Sequence, residues 1–326
     1  MGSPAPQTKR IDSIDLFKGI AIAVIVWKHT YHPQCFDLIS VSSLFFILSG
    51  TFIKDEPFVP FLKKKIQTIL IPFLFFYLLS FGTRLVFHLA QNRTLHGFAW
   101  DSILDIFTIS DHCNYLSVNI PLWFLLCLFI MQILFWILNK IVPSHKYRTG
   151  WSLLIIGVIY AGYPAIEKWH TPFMFNIAIE CLPYLIVGNL FGLKIAHYLS
   201  VSTSKYILAP AAFVLFIALQ YLRVDFGLLI FVESLTIFTG TLALLACFEG
   251  NRSPICNTIR TLGKASLLIM GIHALILAPL QTIVHTLSKL PHLLTGLICL
   301  ILTLFIIYLL IPVVNKYIPW AVGKKK

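Results

Sequence analysis

The sequence predicts an all-α, polytopic membrane protein with about ten transmembrane helices and with both termini in the cytoplasm. Three observations support this. Of the 326 residues, 58% are hydrophobic and 12% are charged, whereas soluble domains usually carry roughly 25% charged residues. The apolar residues occur in runs long enough to cross a bilayer. The basic residues cluster between those runs, so the net charge of +12 indicates cytoplasmic loops rather than nucleic-acid binding.

Ten apolar runs are separated by proline, charged residues or Asn/Ser clusters, and each run is predicted to be one span. The polar residues 1–10 are expected to form a cytoplasmic tail, because the apolar run after them lacks the cleavage pattern of a signal peptide. The predicted spans are 13–31, 38–54, 68–90, 120–140, 151–167, 175–194, 206–222, 226–248, 265–287 and 293–315.

The distribution of charge predicts the orientation of the spans. A cytoplasmic N-terminus places nineteen Lys and Arg residues inside and five outside, as the positive-inside rule requires. Residues 1–326 are then one integral-membrane domain, with a long extracytoplasmic loop at 91–119, a short surface helix near Gly97–Ile109, and a basic cytoplasmic tail at 316–326. Cys35 and Cys113 are both predicted outside, which leaves open whether they form a disulfide.

The first span carries the strongest candidates for chemistry. Ionisable groups at membrane depth are costly and are functional candidates by default. Lys18 and His29 are eleven residues apart, which places them on one helix face about 16 Å apart along the axis. Asp15 lies one turn before Lys18 and is placed to hold it. The alternative is a histidine that serves only in helix packing, and the spacing alone does not decide between the two.

Two further stretches have a functional and a structural interpretation. Ser49 and Gly50 form a small pair inside an apolar span, which suits either close helix packing or the passage of a ligand near the backbone. The cluster of Lys63, Lys64 and Lys65 enters the third span. It suits either anionic lipid headgroups or a phosphorylated cofactor that arrives from the cytoplasm.

These residues, in this order, resemble the family-3 membrane acyltransferases, most closely the sugar O-acetylase branch. The resemblance covers nearly the whole chain. Two departures are Thr68, where many relatives have a basic residue, and the absence of a histidine just before Phe45-Phe46. The matching elements are Asp15, Lys18 and His29 in the first span; Phe45 to Gly50; Lys63 to Pro72; Leu122 to Leu125, which includes Trp123; and Gly263 to Ser266, followed by His273.

The resemblance implies transfer of an acyl group, most simply acetyl, from acetyl-CoA to a hydroxyl of a sugar or cell-surface glycan. His29 is implied as general base, with Lys18 and Asp15 in the catalytic set, and no metal is implied. The remaining implied residues are Lys63, Lys64, Lys65, Ser49 and Gly50 for the donor; Arg252, Arg260 and Lys264 as further attraction for its phosphates; and His273, Trp123, Ser266 and Glu180 as substrate or oxyanion candidates.

The resemblance also implies a multi-pass protein of a bacterial inner membrane, in contact with acyl-CoA, a glycan acceptor and membrane lipid, but not with nucleic acid. Two other classes fit ten spans and buried charge equally well. One is a transporter or flippase for a glycan or a lipid-linked intermediate. The other is a membrane module that binds a ligand or a partner enzyme. Neither class requires the Lys18–His29 pair or a CoA site.

Overall fold

The computed structural model describes residues 11–30, 41–109, 116–141, 147–166, 168, 171–222, 227–288 and 290–324. Over these residues the chain is helical and contains no strand. The longer helices are α1 (Asp12–Lys28), α2 (Val41–Thr51), α3 (Phe58–Asn92), α4 (Trp123–Ile141), α5 (Arg148–Ala161), α6 (Pro172–Val201), α7 (Lys205–Leu222), α8 (Gly227–Ala246), α9 (Pro254–Lys264), α10 (Ser266–Ser288) and α11 (His292–Tyr317).

Short helical turns complete the described chain. Two of them, Trp100–Leu104 and Asp105–Thr108, lie in the long loop where the sequence predicted a surface helix. The others are Ile120–Leu122, Tyr163–Ile166 and Pro319–Val322. Cys35, Cys113 and the tail at 1–10 lie outside the described residues.

A helix lies at every predicted span, which confirms the all-α fold and the multi-pass class. Within the described part of the chain, six helices are long and apolar enough to cross a membrane: α3, α4 with the turn before it, α6, α8, α10 and α11. The described parts of α2, α5 and α7 are shorter apolar helices, and α1 has 17 residues. The count of ten spans and the orientation of the termini stay predictions.

Two segments are helical beyond the predicted spans. The third span was predicted at 68–90, and α3 contains this range but begins at Phe58, so the lysine cluster is helical as well. A wider turn of π-helix at Ile66–Leu70 joins its two parts. The segment after the eighth span, expected to be a loop, contains helix α9. Ser253 caps α9 by accepting a hydrogen bond from Cys256 N at 3.4 Å, and the helix packs its buried face against α1.

The crossing of α1 and α9 depends on two glycines. A Cβ atom added at Gly19 would overlap the carbonyl oxygen of Ile259, and one added at Gly263 would overlap that of Asp15. Small residues allow helix backbones to approach this closely. Asp15 itself is 5% exposed and lies at this crossing.

Acidic groups fix the start of α1. Glu249 accepts hydrogen bonds from the backbone N–H groups of Asp12, at 2.8 Å, and Ser13, at 2.9 Å. The Asp12 carboxylate in turn pairs with Arg252 at 3.2 Å and Arg260 at 3.7 Å. Arg260 is only 3% exposed and also donates to backbone carbonyls. The expectation that Arg260 attracts donor phosphates at an open mouth is therefore wrong, because its guanidinium is enclosed by the α1–α9 junction.

We expect Glu249→Ala to lower the free energy of unfolding by about 1–2 kcal/mol, because two N–H groups at the positive end of the α1 dipole lose their acceptor. Thermal unfolding of the detergent-solubilised protein measures this. Glu56→Ala is the matched control, since Glu56 makes an outer ion pair with Lys64 and its loss should change stability much less. Equal stability of Glu249→Ala and the wild type would contradict this account.

Helix α2 is held against α6 in a similar way. A Cβ atom at Gly50 would overlap a carbonyl of α6, and one at Gly188 would overlap a carbonyl of α2. Asn189 donates to the carbonyls of Gly50, at 3.1 Å, and Ile53, at 3.0 Å, which satisfies the end of α2. Arg148 donates to Asn189 at 2.9 Å. Close helix packing therefore explains Gly50.

Candidate active site

Three cavities lie between α1, α2, α3, α4 and α10. The lysine cavity, of about 270 Å³, is lined by Lys18 and Lys65 among others. The central cavity, of about 340 Å³, is lined by His29, Ser42 and Trp123. The arginine cavity, of about 400 Å³, is lined by His29, Arg84 and Asn119.

The three cavities follow one another along the helix axes. On α1, Lys18 lines the lysine cavity, Ile25 the central one, and His29 both the central and the arginine cavities. On α3, Lys65 lines the lysine cavity and Arg84 the arginine cavity. Neighbouring cavities share wall residues, which are Phe124 and Met270 on one side of the central cavity and His29 and Pro121 on the other.

The lysine cavity combines cations with neutral polar groups. The Lys18 ammonium lies 4.9 Å from the centroid of the Phe52 ring, a cation–π distance. Ser49 and Ser266 contribute hydroxyls to the wall. Gln132 is 3% exposed, and its Oε1 has no hydrogen-bond partner among the described residues. A buried acceptor of this kind is costly unless a ligand or water satisfies it.

His29 lies just beyond the last residue of α1, with φ −95° and ψ 0°, a sparsely populated backbone region in which many active-site residues lie. Its N–H donates to Val26 O at 3.1 Å, and its own carbonyl accepts from Gln281 Nε2 at 3.0 Å. Its side chain is exposed to both the central and the arginine cavities. The backbone is thus held while the imidazole faces two open spaces.

A second histidine lies beside His29. The ring centroids of His29 and His273 are 5.3 Å apart, and His273 is fully buried. Its Nδ1 is 2.8 Å from Ile269 O. Because a carbonyl oxygen only accepts, Nδ1 carries the proton, and Nε2 of the neutral ring is an acceptor, without a hydrogen-bond partner in the described chain. This geometry argues against His273 as an oxyanion donor in its neutral form.

Asn119 is a polar wall residue that the sequence did not suggest. It is 3% exposed, and its Nδ2 donates to Ser80 Oγ at 2.9 Å and to Gly271 O at 3.0 Å. Its Oδ1 has no hydrogen-bond partner among the described residues. Asn119 lines the arginine cavity, which therefore holds an oriented acceptor for a hydroxyl or amide N–H.

Six of the residues predicted for the site, His29 among them, line the three cavities. Trp123 lines the central cavity, and four predicted residues line the lysine cavity: Lys18, Ser49, Lys65 and Ser266.

Other predicted residues lie elsewhere. Lys63 and Lys64 line a separate groove on α3, where the hydrogen bond from Lys64 lowers the pKa of the Glu56 carboxyl. Asp15 is buried at the α1–α9 crossing, and Gly50 packs against α6. Glu180 is on α6 and does not line any of the three cavities.

Gln132 and Asn119 could have been found from the sequence by a simple signal. Each is an amide side chain inside or next to a strongly apolar run, where burial of a polar group needs a reason. Neutral amides are a weaker signal than lysine or histidine, because they carry no charge.

The helices of this multi-pass membrane fold enclose a line of three cavities, and the exposed His29 lies where two of them, the central and the arginine cavities, meet. A family model described as an acyltransferase domain matches residues 11–312, and the chain belongs to this acyltransferase 3 family. The predicted family is confirmed, whereas the sugar O-acetylase branch stays a prediction. No curated protein and no solved structure matches the chain.

Proposed function

We propose that this acyltransferase moves an acetyl group from acetyl-CoA to a hydroxyl of a sugar or cell-surface glycan, with His29 as general base. One observation carries the proposal. The His29 imidazole faces both the central and the arginine cavities. Beyond the central cavity lies the lysine cavity, whereas the arginine cavity is lined by neutral hydrogen-bonding groups and Arg84. Donor and acceptor can therefore approach the same side chain from opposite directions.

The lysine cavity suits the arm of the donor. Eleven residues separate Lys18 from His29, which corresponds to about 16 Å along a helix, a distance that the pantetheine arm can cover. That arm contains two amides, and the buried Gln132 Oε1 is an acceptor for an amide N–H. Lys18 supplies a donor for a carbonyl or phosphate oxygen. The acyl end of the donor passes into the central cavity between the residues that the two cavities share, Phe124 and Met270.

The arginine cavity suits a polyhydroxylated acceptor. Thr83, Asn119 and Gln281 provide hydroxyl and amide groups in its wall, and such groups recognise sugar hydroxyls by hydrogen bonding. Arg84 is exposed there and donates to Ser117 Oγ at 3.4 Å. An acceptor hydroxyl that enters from this side reaches the His29 ring directly.

The reaction then proceeds by direct transfer. His29 removes the proton of the acceptor hydroxyl, and the oxygen attacks the thioester carbonyl carbon. The resulting tetrahedral oxyanion collapses, and the C–S bond breaks. The proton on His29 passes to the leaving sulfur, which gives the acetyl ester and free CoA and restores His29. An imidazole suits both steps because its pKa ordinarily lies near neutral pH.

An oxyanion needs hydrogen-bond donors that are already in place. Trp123 lines the same cavity as His29, and its indole N–H is a donor without an acceptor function. Among the predicted candidates it is better placed than Ser49, which lines the lysine cavity, or neutral His273. We therefore assign to Trp123 the role of hydrogen-bond donor to the oxyanion.

We expect Ser49→Leu to lower kcat/KM for acetyl-CoA by about tenfold or more, because a larger apolar side chain in a 270 Å³ cavity obstructs the donor arm. Initial rates of transfer from radiolabelled acetyl-CoA, in nanodiscs with a glycan acceptor, measure this. Thr286→Leu is the matched control, since Thr286 is exposed on α10 and its hydroxyl donates locally, to the Thr282 carbonyl of the same helix. An unchanged kcat/KM in Ser49→Leu would contradict the assignment of the donor to this cavity.

The same assay separates the proposal from transport. A flippase would move a labelled glycan across the bilayer without acetyl-CoA and without forming an ester. Glycan movement with no acetyl transfer by the wild type would therefore replace the acyltransferase proposal with the transporter alternative.

A further inference from the structure

A second basic site lies beside the lysine cavity, at the same end of α3. It is a groove of about 780 Å³ between α3 and the segment that follows α11, and we call it the Trp320 groove. Its polar and aromatic wall residues are Lys63, Lys64, Gln67, Thr68, Trp320 and Lys324. Three lysines from two separate parts of the chain thus face one space.

The segment that follows α11 is docked closely on α3. Gly323 has a φ of +69°, and an added Cβ there would lie 2.9 Å from the carbonyl oxygen of Thr68. A glycine is required for both reasons. The Trp320 ring packs edge-on against Phe75, with 5.1 Å between the ring centroids. The position of Trp320 and of the residues next to it is therefore fixed relative to the lysine cluster.

The groove carries a net positive charge. Lys64 is paired with Glu56 at 2.8 Å, whereas the Lys324 ammonium donates to a neutral group, Asn315 Oδ1, at 2.7 Å and makes no ion pair within the described chain. Lys63 is exposed and makes no ion pair with any described residue. Trp320 is 43% exposed and adds an aromatic surface to two cations. Phosphate groups and a planar base are the chemistry that such a surface recognises.

The groove and the lysine cavity meet at one residue. Thr68 lines both of them, at the π-helical turn Ile66–Leu70, a type of irregularity frequent at functional sites. A ligand whose phosphates lie in the groove can therefore extend a chain past Thr68 into the lysine cavity. A phospholipid headgroup would satisfy the charge, but it would have no use for this connection.

We propose that the Trp320 groove binds the nucleotide portion of the acyl donor, with Lys63 and Lys324 at its phosphates and Trp320 against its base. This inference rests on the proposed function, because it takes the occupant of the lysine cavity to be the arm of the same donor. It adds the segment after α11 to the donor site.

Binding of CoA to the purified protein in nanodiscs tests the proposal. We expect Lys324→Glu to weaken CoA binding about tenfold, because an attractive charge becomes repulsive, and Trp320→Leu to weaken it severalfold. S-acetylpantetheine lacks the nucleotide, so both variants should use it with a kcat/KM within about twofold of the wild-type value. This result would also show that the variants are folded. Lys316→Glu is the control, since Lys316 lies over Tyr317 at the end of α11 and outside the groove.

Three outcomes would overturn the proposal, and they are distinguishable. If the wild type binds CoA and transfers acetyl but Lys324→Glu and Trp320→Leu bind CoA as tightly, the nucleotide lies elsewhere and the proposed function stands. If the substitutions alter the affinity of the nanodisc-embedded protein for phosphatidylglycerol but not for CoA, the groove is a lipid site. If the wild type neither binds CoA nor transfers acetyl from it, the proposed function itself fails.

Discussion

His29→Ala is expected to lower the rate of acetyl transfer by about 10²–10⁴-fold, which is the usual contribution of a general base. CoA affinity should stay within about twofold of the wild-type value, because His29 faces the central and arginine cavities and not the lysine cavity. Initial rates with radiolabelled acetyl-CoA and equilibrium binding of CoA, measured on the same nanodisc preparation, separate chemistry from binding.

The control for this variant is His285→Ala. His285 is exposed near the end of α10 and stacks on His292, with 5.9 Å between ring centroids, and it lines none of the three cavities. Its loss should leave the rate unchanged. A His29→Ala protein that binds CoA and transfers acetyl at the wild-type rate would remove His29 from the mechanism. The neighbouring His273, with its Nε2 as acceptor, would then be the next base to test.

Gly263→Leu is expected to lower the free energy of unfolding by about 3 kcal/mol, because the new side chain begins where the Asp15 carbonyl already lies and the two helices must separate. Thermal unfolding in detergent measures the loss. The matched control is Gly157→Leu on α5, where an added Cβ meets no atom within 4 Å and leucine is the better helix former. Equal stability of the two variants would show that the α1–α9 crossing is not closely packed.

The same substitution should also affect catalysis. Helix α1 carries Lys18 and, at its end, His29, so a displaced α1 moves both groups relative to the cavities on α4 and α10. Misplacement of about 1 Å at a catalytic group is enough to reduce a rate substantially. We therefore expect transfer by Gly263→Leu to fall even at temperatures at which the protein remains folded.

The positions of the helices were predictable because each apolar run is long and uninterrupted, and a chain in a bilayer satisfies its backbone hydrogen bonds by helix formation. Helix α9 was not predicted, since it is short and carries charged residues. Its burial follows from tertiary contacts, namely the ion pair of Arg260 with Asp12 and the close approach of Gly263 to α1. Neither is visible in hydropathy.

The charged residues of the site were predictable from their residue type and their spacing in the sequence. The eleven-residue separation of Lys18 and His29 places them at successive cavities along α1, in the expected order. Gln132, Asn119 and Trp320 were not predicted, because their roles depend on what surrounds them. An unsatisfied amide oxygen or a groove between α3 and a distant segment becomes evident only when the chain is folded.

The most direct test of the account is the sidedness of the reaction. Proteoliposomes with one uniform protein orientation are supplied with acetyl-CoA only on the face that carries Lys63 and with glycan acceptor only on the face that carries Arg84. We expect ester formation in this arrangement and none when the two substrates are exchanged, because donor and acceptor reach His29 through cavities on opposite sides. Transfer only when both substrates share one face would contradict it.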